Sequence, residues 1–568
     1  MKTASFNLVD EPWLPVTLAG DFPGGATREP LPRVSLREAF QYGDKIVDLR
    51  CYPHERIALM RLLICIAQRA LNGPRDEEEW KRCRAEMSKI AVHYLDDNKD
   101  CFNLFGDGPR FLQAHGSGEP GQKPVFKLAL IDEDGTTLFD AHVQPGEQME
   151  AEDLAVALVT YQSFAAGGKS GGSEPSPKGR ITKSGKIKNE PQSGEAALCR
   201  DRAALHAFIL GKNLCETIHC NLVCVAQIAA PMTWSTAGKP VWEHRKLAAK
   251  DLPEALIKTD YLGRLAPLGR AVWLGNDRQQ AEIANGLHYG VFADSKDSKT
   301  KKVKLGTGIR ELTASVAPAQ QTKDRDRLVC ASAGGGVPKA AWRELHSIAV
   351  LRRSGKRGGP AALEHLRTRA TQEARLWCGA LVGDQAKVGD IVDSVFRLPV
   401  EFLEDADAAL VDDPRKCPGP NQTYRKGVAL ADQWADHRLR DAVLSYHLSL
   451  ADDLSRKQNS ERRSKITNQA AMHFWTALEQ VAERVLLHDV AVNSNKYWSN
   501  DANWMTKSPW GHEVWKAAHD AYESACPHGT PRQLRAYAAG LAKLRSEDRS
   551  ESTAADKADD DSNEGGEE

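Results

Sequence analysis

Several catalytic and metal-binding signatures are missing from this sequence. Its twelve cysteines are scattered without one CxxC pair. Structural zinc needs four converging ligands, usually delivered as close pairs, so a zinc ribbon or finger is excluded. The nearest grouping is Cys215, Cys220 and Cys224; on a helix, Cys220 and Cys224 would share a face and Cys215 would lie off it. These read as buried thiols of a reducing cytosol, with no metal and no cofactor implied. GxGxxG is absent, which removes the dinucleotide fingerprint. His54-Glu55 lacks the second histidine of HExxH. No apolar run is long enough to span a bilayer, because the richest stretch, Ile57 to Leu71, is interrupted by Arg61, Gln68 and Arg69. A secretory leader's apolar core is also missing near Lys2, so the expected location is cytoplasmic.

The charge is nearly balanced, at -1 over 568 residues, but unevenly distributed. Residues 546–568 hold ten Asp/Glu against two Lys/Arg, a net -8, which leaves +7 on residues 1–545. A mildly basic body permits a polyanionic partner. The acidic, Ser-rich tail is expected to be disordered.

The first segment with character is FNLVDEPWLPV, Phe6 to Val16. It reads as a strand, and because Pro12 and Pro15 cannot donate to a ladder, as one that is an edge strand or leaves the sheet there. Apolar periodicity predicts helices over His54–Leu71, Glu77–Tyr94 and Ala151–Phe164, with a strand over Val125–Ile131. The segment 167–194 is Gly/Ser/Pro/Lys-rich and nearly free of apolar residues, so a mobile basic loop is expected. It carries Lys169, Lys178 and Arg180; a further basic loop, Arg352 to Pro360, carries Arg352 and Arg353. From about Phe402 the pattern changes to amphipathic helices near Gly427–Leu454, Ile466–Leu487, Pro509–Ser524 and Pro531–Arg545. The expected fold class is therefore α+β: a large mixed α/β domain over 1–398, a C-terminal four-helix bundle over 399–545, and the tail over 546–568.

Two stretches imitate catalytic motifs. SFAAGGKS, Ser163 to Ser170, approaches the phosphate-binding GxxxxGK[ST]. That loop needs a strand before it and a helix after it, whereas here a helix precedes it and Gly-Gly-Ser-Glu-Pro follows. His437, His473, His488-Asp489 and His519-Asp520 form a set from which a helical, metal-dependent phosphohydrolase can be imagined. That enzyme is the rival reading; no two of these histidines stand four apart on one helix, and His473 beside Phe474 and Trp475 suggests packing.

Several stretches in order resemble one family, CasA, the large subunit of the type I-E Cascade. They are NLVDEPWLPV; FNLFGDGPRFLQ (Phe102 to Gln113); ALVTYQSFAAGG; YLGRLAPLGRAVWL (Tyr261 to Leu274); GALVGDQAKV (Gly379 to Val388); and MHFWTALEQVAERVL (Met472 to Leu486). The resemblance implies a non-catalytic subunit of an RNA-guided antiviral complex. Such subunits bind double-stranded target DNA, test for a short protospacer-adjacent motif, promote duplex opening and dock a helicase–nuclease. Their implied partners are the 5′ end region of the guide RNA and the other Cascade subunits: backbone, small subunit and the subunit that binds the RNA 5′ end. In such effectors the RNA reads most of the sequence.

Within this frame, Gly383 and Gly389 bracket Asp384-Gln385-Ala386-Lys387 as a tight hairpin. The amide of Gln385 both donates and accepts, and its stem can wedge between base pairs from the minor groove. Lys387 can hold a neighbouring phosphate, as can Lys169, Lys178, Arg180, Arg352 and Arg353, with affinity falling as salt rises. TLFDAHV resembles a loop at the RNA-bound end, with Phe139 and His142 as contacts. The sequence departs from the family at GEQMEAEDLA (Gly146 to Ala155), which has one glycine and four acidic residues where some members are Gly-rich, and after Leu274, where GNDRQQ offers Arg278 and no lysine.

Overall fold

Trp13 is fully buried, and its indole N–H donates to the Leu8 carbonyl at 3.0 Å. The strand it opens, Leu14–Leu18, is central rather than an edge, lying between Arg33–Val34 and Ile46–Leu49. The prolines are tolerated because the donors toward Arg33–Val34 are the N–H groups of Trp13 and Val16. Pairing with Ile46–Leu49 begins only at Val16, so Pro15 is never required to donate.

Helix Pro53–Leu71 is the centre of the first unit. Pro53 occupies its first position, Glu55 accepts from the Tyr52 N–H at 2.9 Å, and Asn72 ends it in the left-handed conformation. Nearly its whole circumference is buried, including Arg61 and Gln68, two of the polar residues that break its apolar run. The Arg61 guanidinium donates to the carbonyls of Leu265 (3.2 Å) and Arg264 (2.6 Å) and to Thr313 Oγ1 (2.8 Å). Gln68 accepts from Val223 N–H and donates to Gly73 O. Helices Met87–Asp97 and Ala151–Phe164 and strand Glu373–Asp384 pack around this rod.

The helix expected over Glu77–Tyr94 is two, Glu77–Cys83 and Met87–Asp97. The break lets Trp80 enter a stack between His219 and His365 while Met87, Ala91 and Leu95 face the core. The expected strand at Val125 is a short 3-10 helix, Val125–Ala129, preceded by strand Gly121–Pro124. Ala151–Phe164 is helical as expected, so the GxxxxGK[ST] lookalike starts inside a helix end and lacks its strand.

The structure, a computed structural model, describes residues 5–545 apart from internal stretches, chiefly 24–31, 131–147, 168–179, 189–196, 229–237, 297–302, 305–311, 332–338, 353–357, 385–386, 406–412 and 451–459. The chain divides into Met1–Val411 and Asp412–Glu568. The first unit extends past the expected 398 because Glu404–Asp405 pairs in parallel with Val350–Leu351. It contains both helices and sheets, as an α+β reading requires.

The second unit is helical. Helix Pro420–Gln433 continues through a π-helical stretch, Trp434–Leu439, into Arg440–Leu450, which packs on Pro531–Arg545. Ser460–Val481, continued by a π stretch to Ala491, packs on Pro509–Ala525. Trp510 is fully buried and donates to Gly427 O at 2.8 Å. No described helix is long and apolar enough to cross a membrane.

Candidate nucleic-acid interface

Among the described residues the longest β element is an antiparallel hairpin, Glu373–Asp384 with Lys387–Pro399. Strand His206–Leu210 pairs with Arg375–Gly379 only, so the distal part, from Ala380 onward, continues as a two-stranded arm, itself packed down, with Ala380, Leu381 and Val382 buried and Val388 and Ile391 against the core. The central strand is buried on both faces from Leu376 to Val382, while the outer strand alternates from Val392 to Leu398, as an edge with one wet face should. Trp377 fixes the base: it stacks with Phe208, and the Arg56 guanidinium lies 5.4 Å from its ring centre. Near the tip, Val382 pairs with Asp390 and Gly383 with Val388, which makes Gly389 the extra residue of a β-bulge. Bulges bend a strand and sharpen its twist, re-aiming what lies beyond. Asp384 pairs with Lys387, so the glycines lie within the strands and the connection is residues 385–386. Gln385 itself lies outside the described residues.

A second hairpin, Arg270–Leu274 with Gln280–Asn285, carries a turn that holds Arg278. The Asp277 carboxylate accepts from Gln279 N–H at 3.1 Å, and Gly275 N–H donates to Gln280 O. Arg278 has φ +58°. Its carbonyl accepts from Met149 N–H at 3.2 Å, and its guanidinium pairs with Glu150 at 3.0 Å. The acidic segment before helix Ala151–Phe164 and the turn after Leu274, the two places where the sequence departs from the family, are therefore neighbours. Glu150, Glu152 and Asp153 sit at that helix's N-terminus, where its dipole favours negative charge. Arg33 pairs with Asp153.

Arg352 does not face solvent as its Gly/Lys-rich loop suggests. It is 3% exposed, donating to Gly359 O at 3.0 Å and Ala314 O at 2.7 Å, and is thus a bracket for its own loop rather than a phosphate contact. Lys169, Lys178, Arg353, Phe139 and His142 lie outside the described residues, and Arg180 is described only as part of a short strand paired with Ile187–Lys188. Of the histidines named for a metal, His437 and His473 are exposed, so His473 is not packed with Phe474. His488 lies 3.7 Å from Glu483, Asp489 accepts from Tyr497, and His519 bonds to Trp515 O. Among the described residues no three His, Cys, Asp or Glu side chains are grouped to hold a metal. Cys220 and Cys224 are buried, and burial pushes the Cys224 thiol up to about 12.

Sequence reading missed one cluster. Trp273 is sandwiched between the Arg110 guanidinium, 4.1 Å from its ring centre, and the His115 ring at 3.9 Å. Arg110 also donates to Leu274 O at 2.7 Å and Gly106 O at 2.6 Å, and its second Nη lies 3.4 Å from Asn276 Oδ1. The signal was the PRF of FNLFGDGPRFLQ: burial holds the Arg110 guanidinium's pKa below its usual value and marks it as a fixed internal strut.

The chain matches the family model for CRISPR-associated protein Cse1 over residues 7–521. It is 28% identical to the CRISPR-associated protein CasA/Cse1 of Thermus thermophilus over 417 residues, 70% of this chain and 72% of that protein. The fold matches a Thermus thermophilus CasA (Cse1) structure at TM-score 0.65 and 22% identity, covering 95% of this chain and 98% of the other. It also matches a chain of a structure described as a CRISPR RNA-guided surveillance complex at TM-score 0.60 and 16% identity, covering 95% and 100%.

Proposed function

This chain belongs to the CRISPR-associated Cse1 (CasA) family, and from that membership we propose that it is the large, non-catalytic subunit of an RNA-guided surveillance complex of the type I-E Cascade kind. In this reading it acts in the cytoplasm with a guide RNA and partner subunits. It binds duplex DNA, tests for a short protospacer-adjacent motif, helps to open the duplex and docks a helicase–nuclease. The four long helices of the second unit are read as a bundle.

The observation that supports motif testing most directly is the bulged arm ending at 385–386. The arm is held down by the core as far as Val382, Val388 and Ile391, so the short turn at its end, on a rigid, Trp-anchored base, is the part that can enter a groove. Its tip residue, Gln385, can hydrogen-bond to minor-groove acceptors and intercalate its stem, at a cost of roughly a few kcal/mol per unstacked step. Minor-groove patterns are degenerate, so tolerance of several motifs is expected. The turn carrying Arg278 supplies a second contact, with the adjacent acids limiting how tightly it grips phosphate.

Gel-shift titration of motif-bearing and motif-free duplexes against the assembled complex tests this. Gln385→Ala should abolish the preference for the motif while subunit assembly persists. Unchanged discrimination would remove the wedge assignment.

A further inference from the structure

The His115–Trp273 stack stands beside a cationic segment. His115 N–H donates to Leu247 O at 2.7 Å, and His115 O accepts from Ala249 N–H at 2.9 Å, so residues 247–249 are pinned alongside the stack. Residues 239–250 contain Lys239, Arg245, Lys246 and Lys250 against one acid, Glu243. That acid is engaged elsewhere, with Arg69 at 2.8 Å and Tyr94 at 2.7 Å. Lys246 and Lys250 make no ion pair among the described residues. Arg110, Arg245 and Lys246 line one cleft with Gln113 and Trp242. Arg245 is held at φ +51°, an uncommon conformation for a residue with a side chain, and such outliers concentrate at ligand contacts.

We propose that this face binds single-stranded nucleic acid, with His115 as the stacking platform for an unpaired base and Lys246 and Lys250 holding the adjoining phosphates. The His115 side chain is 43% exposed. One face of its ring rests on Trp273. Its Nδ1 is fixed by Glu282 at 3.2 Å, and its Nε2 has no protein partner among the described residues. The platform is rigid before any ligand arrives, because Arg110 braces the indole from the other side. Leu247, 44% exposed, offers apolar surface for a sugar or base. An aromatic platform flanked by cations is the general solution for holding unpaired strands without reading their sequence. Glu282 opposes a second phosphate on its side, so the strand must run on the side of Lys246. The site goes beyond duplex testing at Gln385 and does not depend on it.

The test is fluorescence anisotropy of the full chain with a labelled oligothymidylate, an oligouridylate and a blunt duplex across a salt series. His115→Ala should weaken one or both single strands by about tenfold, within the range of one stacked base, and His115→Phe should keep most of the affinity. Lys246→Ala should flatten the single-strand salt dependence by about 0.7 in log–log slope. A preference for thymidylate assigns the platform to an opened DNA strand, and a preference for uridylate to a guide RNA. The proposal is overturned if His115→Ala binds both single strands like the parent, or if it weakens the blunt duplex equally. Gln385→Ala serves as the control whose duplex defect leaves single-strand binding unchanged.

Discussion

The Trp377 indole N–H donates to the Asp393 carboxylate at 2.6 Å, across the two long strands of the arm. Asp393 is paired in register with Gly379, and a Cβ on residue 379 would lie 2.2 Å from the Trp377 ring. The indole thus lies flat over bare glycine backbone and reaches its acceptor on the far strand. Gly379→Ala should push the ring off this position and destabilise the first unit by about 1–3 kcal/mol, the usual range for overpacking. Urea denaturation reads this directly. Asp393→Asn keeps an acceptor for the indole and should unfold close to the parent.

Arg278 and Glu150 make opposite predictions for duplex binding. Arg278→Gly suits the positive φ and removes the cation without strain. It should weaken duplex binding several-fold and lower the log–log salt slope by about one. Glu150→Gln releases the guanidinium from its 3.0 Å partner and should tighten binding. If both variants titrate like the parent in a filter-binding assay, this turn does not reach DNA.

These residues also show how far the sequence could be read. Helix Ala151–Phe164 was legible because Leu154 to Val159 are all apolar and Gly167-Gly168 follows it, although the structure buries it on every side from Leu154 on. The arm was legible from its paired glycines, although Gly389 proved to mark a bulge and the turn fell to 385–386. Arg352 misled because an arginine in a Gly/Lys-rich loop looks solvated, and only the fold reveals that two carbonyls point at it. Pro15 misled because a proline forbids only one donor, and a strand can change partners at that residue. Trp273 and His115 belong to distant segments, so no local pattern announces their stack.

The His365 ring lies 4.2 Å from Trp80, its Nε2–H donates to Leu222 O at 2.8 Å, and burial pushes its pKa down to about 4. An unfolded histidine titrates near 6.5, so between these values the unfolded chain binds the extra proton. Stability from this group is therefore complete above about pH 6.5 and lost as pH falls toward 4, on the order of 3 kcal/mol in total. Glu55 opposes it: burial raises its carboxyl to about 7, so the folded state holds the proton and stability falls as pH rises from about 4.5 to 7. The two trends overlap and partly cancel in the parent. His365→Phe keeps a ring against Trp80 and removes one trend. Its stability relative to the parent should rise by about 3 kcal/mol between pH 7 and pH 4 in chemical denaturation. A constant difference across that range would show that His365 is not the acid-sensitive group.

Gly540 sets how closely the last helix approaches its neighbour. A Cβ there would lie 2.6 Å from Ala442 O and 2.1 Å from the Tyr522 hydroxyl, which itself donates to Tyr537 O at 2.8 Å. Two effects compete in Gly540→Ala. Alanine gains about 1 kcal/mol of helix propensity. Against this, the Ala442 carbonyl belongs to the backbone of helix Arg440–Leu450 and cannot rotate away, and displacing Tyr522 breaks a part-buried hydrogen bond worth about 1 kcal/mol. With overpacking of about 1–3 kcal/mol added, the steric side wins, and the thermal transition of the helical unit should move down by several degrees in circular dichroism. Tyr522→Phe in the same background relieves only the hydroxyl contact. It should recover little of the loss, because the carbonyl remains where it was.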